Sequence, residues 1–166
     1  FISGNIDIDT TIALISEKFS HWESKPVPEV GPWQEAPLVG AERRTVQYPG
    51  EEQVQIAFRT VGNGDEDKEA LILLDMILDN RTASLINLNL NQQQLVAGAG
   101  SSPQFLKDSG AQTLYGVPKQ DQTLEEVEQL LLDQIELVKA GEFEDWIIAA
   151  IINDFKKGQK ASQEFN

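Results

Sequence analysis

A proline-rich segment over residues 21–42 constrains the fold of this chain more than any other feature of its sequence. Proline fixes φ and removes a backbone hydrogen-bond donor, so the segment is unsuited to a helix interior or a central strand. We therefore predict an extended linker, which separates a strand–helix unit over residues 1–20 from a main domain over residues 43–166. The four prolines are Pro26, Pro28, Pro32 and Pro37.

The predicted unit over residues 1–20 begins with a short strand at residues 1–6. A helix follows from about residue 9 to residue 20, because Ile12, Ile15 and Phe19 recur at helical spacing and form one apolar face. The first residue is a phenylalanine and falls within the predicted strand, which favours a piece of a longer polypeptide.

The first half of the predicted main domain contains two strands and two helices. Residues 45–48 and 53–60 have the composition of strands, and apolar and polar residues alternate in the second of them. A helix follows a glycine-rich break and ends at Asn80, and a shorter helix covers residues 83–90. The predicted buried stripe of the longer helix is Ala70, Leu71, Leu74 and Leu78.

The second half repeats the order of strands followed by helices. We predict strands over residues 93–100 and 112–117, with Ser101-Ser102-Pro103 as a turn between them. Thr123 and Glu126 have the spacing of a capping box, and the helix that they open ends at Gly141. A last helix starts near residue 144. Its predicted buried residues are Trp146, Ile147, Ala150 and Ile151.

Pairs of strands that alternate with pairs of helices are typical of an α+β domain. An antiparallel sheet with helices on one face fits this order better than a doubly wound parallel sheet. The predicted architecture therefore has two layers.

The charge of the chain excludes some classes of partner. Lys and Arg total 13 against 27 Asp and Glu, a net charge of −14, which argues against binding a nucleic-acid backbone. No apolar stretch is long enough to span a bilayer. Residues 121–145 contribute nine acidic residues and one lysine. We interpret these acids as the solvated face of a helix, with a catalytic acid/base pair as the less favoured alternative.

The sequence offers few residues for catalysis. It has one histidine, His21, and no cysteine, whereas a hydrolytic zinc site needs about three protein ligands, usually with histidine among them. A Ser-His-acid triad would also need His21, and no Gly-x-Ser-x-Gly motif is present. Gly62-x-Gly64 and Gly98-x-Gly100 lack the context of a nucleotide-binding loop. We therefore assign no catalytic, cofactor-binding or metal-binding residue.

The order of blocks resembles a known family. Residues 1–19 read as a strand, a Gly-Asn-Ile-Asp turn and a helix ending in Lys-Phe; a proline-rich connection, a strand at 54–59 and a helix at 68–80 follow. Next come a helix at 83–90 that begins Ala-Ser-Leu, the small-residue strand at 93–100 and the helix at 123–141. This succession resembles the segment of the pitrilysin/insulinase-like (M16) zinc metallopeptidases that lies downstream of their zinc-binding subdomain.

The resemblance implies an α+β fold of the LuxS/MPP-like metallohydrolase type. It also implies a domain without zinc, since the family's His-x-x-Glu-His motif and distal Glu belong to the preceding subdomain. The implied partners are that subdomain, in the same polypeptide or in a partner subunit, and indirectly a peptide substrate. The parent would be a zinc metalloendopeptidase, in which this domain helps to enclose the peptide.

Two alternatives stay open: a structural core-type subunit or binding domain of the same fold without proteolytic activity, and an independent enzyme that works through carboxylates. At residues 90–97 the sequence lacks the Arg, Gly and Tyr that the family often has, which argues against a substrate clamp there.

The resemblance further implies that residues 1–20 close a preceding unit, or complete the sheet in the isolated chain. The expected protein is soluble; the sequence does not fix its compartment, and both the cytoplasm and the periplasm stay open.

Overall fold

The computed structural model describes residues 1–29, 31, 36–80 and 82–164. The chain divides into two compact units, Phe1–Gly40 and Ala41–Asn166. Pro32 of the predicted linker lies outside the described residues. The predicted domain limits and the placement of residues 1–20 stay predictions.

The first unit contains one helix, α1 (Ile8–Phe19), among its described residues. Asp7 is its N-cap, and Asp7 Oδ1 accepts a hydrogen bond from the Thr10 N–H over 2.8 Å. Hydrogen bonds from the Thr10 side chain and, second, from the Thr10 backbone N–H hold the pKa of Asp7 below its ordinary value. The predicted helix is confirmed, whereas the strand predicted at residues 1–6 is wrong, because those residues adopt no strand conformation.

The described residues of the second unit form one three-stranded antiparallel sheet, in the order β1-β3-β2. Its strands are β1 (Val54–Thr60), β2 (Gly98–Phe105) and β3 (Gly110–Val117). Leu114 at the centre of β3 pairs with Ile56 on one side and with Ser101 on the other. The predicted α+β class with an antiparallel sheet is confirmed.

Helices cover one face of this sheet. Helices α2 (Lys68–Leu78) and α3 (Leu124–Ala140) pack on the strands, a five-residue π-helix (Asn87–Asn91) lies beside β2, and α4 (Asp145–Glu164) packs on α2. The capping box at Thr123 is confirmed, since its hydroxyl accepts from the Glu126 N–H and the Glu126 carboxylate accepts from the Thr123 N–H. Gly141 ends α3 with a φ of 69°, the left-handed conformation that glycine adopts without steric cost.

The core consists of two apolar clusters. The larger one lies between the sheet and the helices α2 and α3, and contains Leu78, Ile86, Leu90, Val96, Ala99, Leu114, Val127 and Leu131. The smaller one joins α4 to α2 through Ile77, Leu85, Ile147 and Ile151. Gly116 on β3 lets α3 approach closely, because a Cβ there would overlap Val127 and crowd Leu131.

Several predicted elements differ from the structure. Residues 45–48 form no strand, and the chain near them is held by Arg43, which donates two hydrogen bonds to the Glu128 carboxylate. The strand predicted over residues 93–100 begins only at residue 98. It continues through Ser101-Ser102-Pro103, which is therefore not a turn. Within residues 83–90, the predicted short helix is largely replaced by the π-helix.

Two predicted buried stripes are only partly correct. On α2, Ala70 is exposed, whereas Leu78 is fully buried. On α4, Ile147 and Ile151 are buried as predicted, but Trp146 is 49% exposed. The buried stripe of α4 is narrow, and Trp146 lies a helical step of about 100° away from Ile147.

Candidate functional site

A half-buried carboxylate on α2 connects this helix to two strands of the sheet. Asp75 Oδ1 accepts a hydrogen bond from the Ser101 hydroxyl over 2.6 Å and another from Gln112 Nε2 over 2.7 Å. Ser101 lies on β2 and Gln112 on β3. A single oxygen atom therefore links three elements of secondary structure.

The surroundings of Asp75 change its acidity. Burial raises the pKa of Asp75 above its ordinary value; the hydrogen bonds from Ser101 and Gln112 oppose this shift, and the nearby Asp79 carboxylate adds to it. Gln112 is 3% exposed, and its Oε1 accepts no hydrogen bond from any residue that the structure describes. The cluster is thus a polar group inside the interface between α2 and the sheet, with one acceptor left without a hydrogen bond.

The chemistry available to this cluster is limited. Ser101 and Asp75 are in direct contact, without the imidazole that lies between serine and acid in a Ser-His-acid triad. The geometry supports a structural role, in which the carboxylate holds α2 on β2 and β3. This cluster was not predicted from the sequence. Its signal is the pair of acids Asp75 and Asp79, which lie four residues apart within and just after a predominantly apolar helix.

The outer edge of β2 is capped by side chains. The Ala99 N–H donates to Asn91 Oδ1 and Asn91 Nδ2 donates to the Ala99 carbonyl, each over 2.9 Å. The Ser101 N–H donates to Asp79 Oδ2 over 3.0 Å, and Pro103 has no N–H to offer. Because β3 occupies the other side of β2, these groups take the place of a neighbouring strand.

Metal-binding side chains are not clustered in the part of the chain that the structure describes. Across residues 1–29, 31, 36–80 and 82–164, no three His, Asp or Glu side chains lie close enough together to bind a metal. His21 is exposed near the end of α1, where its ring centroid lies 6.4 Å from that of Trp22.

The acidic residues of segment 121–145 lie on the surface, as the sequence predicted. All are exposed except Glu128, which is half-buried and forms the ion pair with Arg43. Lys139 bonds to Glu136 over 2.7 Å. Gln134 is the unexpected residue of α3, since it is buried on the apolar side and accepts a hydrogen bond from Asn89 Nδ2.

The apolar face predicted for α1 is present but exposed. We call Ile8, Ile12, Ile15 and Phe19 the α1 stripe; each of these side chains is at least 42% exposed. Phe19 contacts the Trp22 ring edge-on, with centroids 4.9 Å apart. Exposed apolar stripes of this kind are typical of interaction surfaces in proteins.

None of the described helices is long and apolar enough to cross a bilayer.

Comparisons with known proteins identify the family. The fold is similar to that of a solved structure of a protease from Helicobacter pylori, with a TM-score of 0.75 and 19% sequence identity. The alignment covers 98% of this chain and 39% of that one, so the chain spans well under half of the protease. No curated protein matches the chain. A model of the family described as Peptidase M16 inactive domain matches residues 1–155, and the chain therefore belongs to this family.

Proposed function

We propose that this chain is a non-catalytic domain of an M16-like zinc metalloendopeptidase, in which it docks the zinc-binding subdomain and helps to enclose the peptide. The family match over residues 1–155 carries this proposal. The composition supports it as well, because the chain has one histidine and no cysteine. The zinc and its His-x-x-Glu-His motif would then belong to the preceding subdomain.

The α1 stripe supports the docking role. Full burial of an isoleucine or phenylalanine side chain contributes about 1.5–3 kcal/mol. The four side chains of the stripe are half-exposed, so a partner that covers them gains part of that free energy from each. The zinc-binding subdomain, in the same polypeptide or in a partner subunit, is the proposed partner.

The sheet face opposite the helices supports the enclosing role. Side chains alternate along β1 and β3, so that Ile56 and Leu114 face the core while Gln55 and Tyr115, which are paired in register, lie on the other face. Tyr115 is 43% exposed. A polar and aromatic surface of this kind suits contact with the backbone and side chains of an extended peptide, and we assign it to the chamber wall.

The proposal is tested by reconstitution. The 166-residue chain and a separate polypeptide that carries the His-x-x-Glu-His subdomain are incubated with zinc and a long quenched-fluorescent peptide, alone and together. We expect cleavage only in the mixture, and its loss on addition of 1,10-phenanthroline. Chelator-sensitive cleavage by the 166-residue chain alone would contradict the proposal.

The alternative is a structural core-type subunit without proteolytic activity. The missing Arg, Gly and Tyr at residues 90–97 favour it. In the same experiment, a complex that co-elutes in size-exclusion chromatography but leaves the peptide intact would select this alternative.

The docking surface has a matched pair of variants. Ile12→Asp places a charge in the α1 stripe, whereas Ala13→Asp places the same charge on another face of the helix. We expect I12D to weaken co-elution with the subdomain and A13D to leave it unchanged. Equal effects of the two variants would exclude α1 as the docking surface.

A further inference from the structure

An open groove of about 850 Å³ lies where the end of α3 meets the start of α4, beside the π-helix. Trp146 at its margin is half-exposed, and Phe143 is partly buried. The groove is large enough for a ligand or a few peptide side chains, since such sites measure about 300–1,000 Å³. Its apolar lining residues are Leu85, Leu88, Leu137, Phe143, Trp146 and Ile147.

The charged groups of the groove are carboxylates, which accept hydrogen bonds. Glu142, Glu144 and Asp145 lie along it, and no Lys, Arg or His is among the described residues that line it. Asn89 also lines the groove. One N–H of its amide donates to Gln134 Oε1, and its carbonyl oxygen is an acceptor. A side chain rich in donors and positively charged is the chemical complement of this set.

Helix stabilisation explains only part of this negative charge. Asp145 lies in the first turn of α4, where the helix dipole favours an acid. Glu142 instead follows the C-terminal end of α3, where the dipole disfavours one, and its backbone N–H donates to the Leu137 carbonyl. No basic side chain forms an ion pair with Glu142 in the part of the chain that the structure describes. The position of Glu142 therefore suits a cation supplied by another molecule.

We propose that this groove binds a peptide segment in which an apolar side chain lies next to an arginine or lysine. The apolar side chain packs against Leu88, Phe143 and Trp146. The neighbouring cation donates hydrogen bonds to Glu142 and Glu144. This recognition goes beyond the proposed role in the peptidase, because it involves neither the α1 stripe nor the zinc-binding subdomain.

Fluorescence anisotropy of labelled probe peptides tests this inference on the 166-residue chain. The probes are short peptides of leucine alternating with arginine, with serine or with glutamate. We expect the arginine probe to bind about fivefold or more tightly than the serine probe, and the glutamate probe not to bind. Added salt weakens the binding of the arginine probe, because the carboxylates are exposed.

Two variants address the two halves of the groove. Trp146→Ala removes an apolar side chain of the groove wall that is not part of the buried core. The double variant E142Q/E144Q removes two negative charges while keeping the shapes of the side chains. Each is expected to weaken binding of the arginine probe by about fivefold or more. The control E51Q/E52Q removes the same number of charges from exposed residues outside the groove and is expected to leave binding unchanged.

Several outcomes would overturn the inference. Equal weakening by E51Q/E52Q would show attraction to the overall negative charge. Similar affinities for the arginine and glutamate probes, or no binding of the arginine probe, would exclude the proposed occupant. Self-association in sedimentation velocity that W146A abolishes, without probe binding, would assign the groove to a second copy of the chain. Circular dichroism of each variant checks that its fold is retained.

Discussion

The Ser101 hydroxyl donates a 2.6 Å hydrogen bond to Asp75 Oδ1, and this contact joins the edge strand β2 to helix α2. The same oxygen accepts from Gln112 Nε2 on β3. One carboxylate thus holds a helix on two strands, and the consequences of changing it can be measured.

Replacement of Asp75 by alanine removes the acceptor that Ser101 and Gln112 share. We expect D75A to lower the free energy of unfolding by about 1–3 kcal/mol, because two donors lose their partner in a half-buried site. D75N keeps an acceptor oxygen and removes the buried charge, so we expect it to lower the free energy of unfolding less than D75A does. Urea denaturation measures both values, and equal losses would contradict the assigned role of the acceptor.

The raised pKa of Asp75 predicts a pH dependence of stability. The folded state binds this proton more tightly than the unfolded state, whose pKa is near the ordinary value of 3.8. The contribution of this group to stability is therefore greatest below pH 3.8 and falls as the pH rises through the raised folded pKa. Urea midpoints of the parent chain and of D75N across this range measure the difference. A difference that grows in favour of the parent as the pH rises would contradict the prediction.

Gly116 and Gly98 form a matched pair of strand glycines. A Cβ at Gly116 would overlap Val127 Cγ1 and lie 3.2 Å from Leu131 Cδ1, whereas a Cβ at Gly98 meets no atom within 4 Å. We expect G116A to destabilise the domain by about 1–3 kcal/mol, through displacement of α3 from β3. G98A is expected to have no such cost. Thermal or urea unfolding separates the two variants, and similar losses would show that the close packing of α3 is not the cause.

The capping box at Thr123 predicts a local effect on α3. T123A removes the acceptor for the Glu126 N–H, and we expect it to lower the free energy of unfolding by about 0.5–2 kcal/mol. T123S keeps the hydroxyl and should retain most of the stability. If T123S were as unstable as T123A, packing of the threonine methyl group would be responsible instead of the cap.

Features that depend on neighbouring residues were predictable from the sequence. The capping box at Thr123 and the left-handed cap at Gly141 need only residues within one turn of the helix end. The alternation of Val54 and Ile56 identified β1, because one face of a sheet strand is buried.

Features that depend on distant partners were not predictable. Ser101-Ser102-Pro103 has the composition of a turn, but pairing with β3 and the contact to Asp75 make it a strand. Residues 45–48 have the composition of a strand and form none, since they have no strand partner among the described residues. The groove beside Trp146 likewise depends on how α3, α4 and the π-helix meet.

The π-helix places Asn91 where it covers part of the outer edge of β2. Asn91 is the last residue of this short wide turn, and it reaches Ala99 only when the turn has formed. Until then the N–H and carbonyl of Ala99 are open to strands of other molecules. We therefore expect refolding yield at high protein concentration to depend on how soon these five residues become helical after the sheet has assembled.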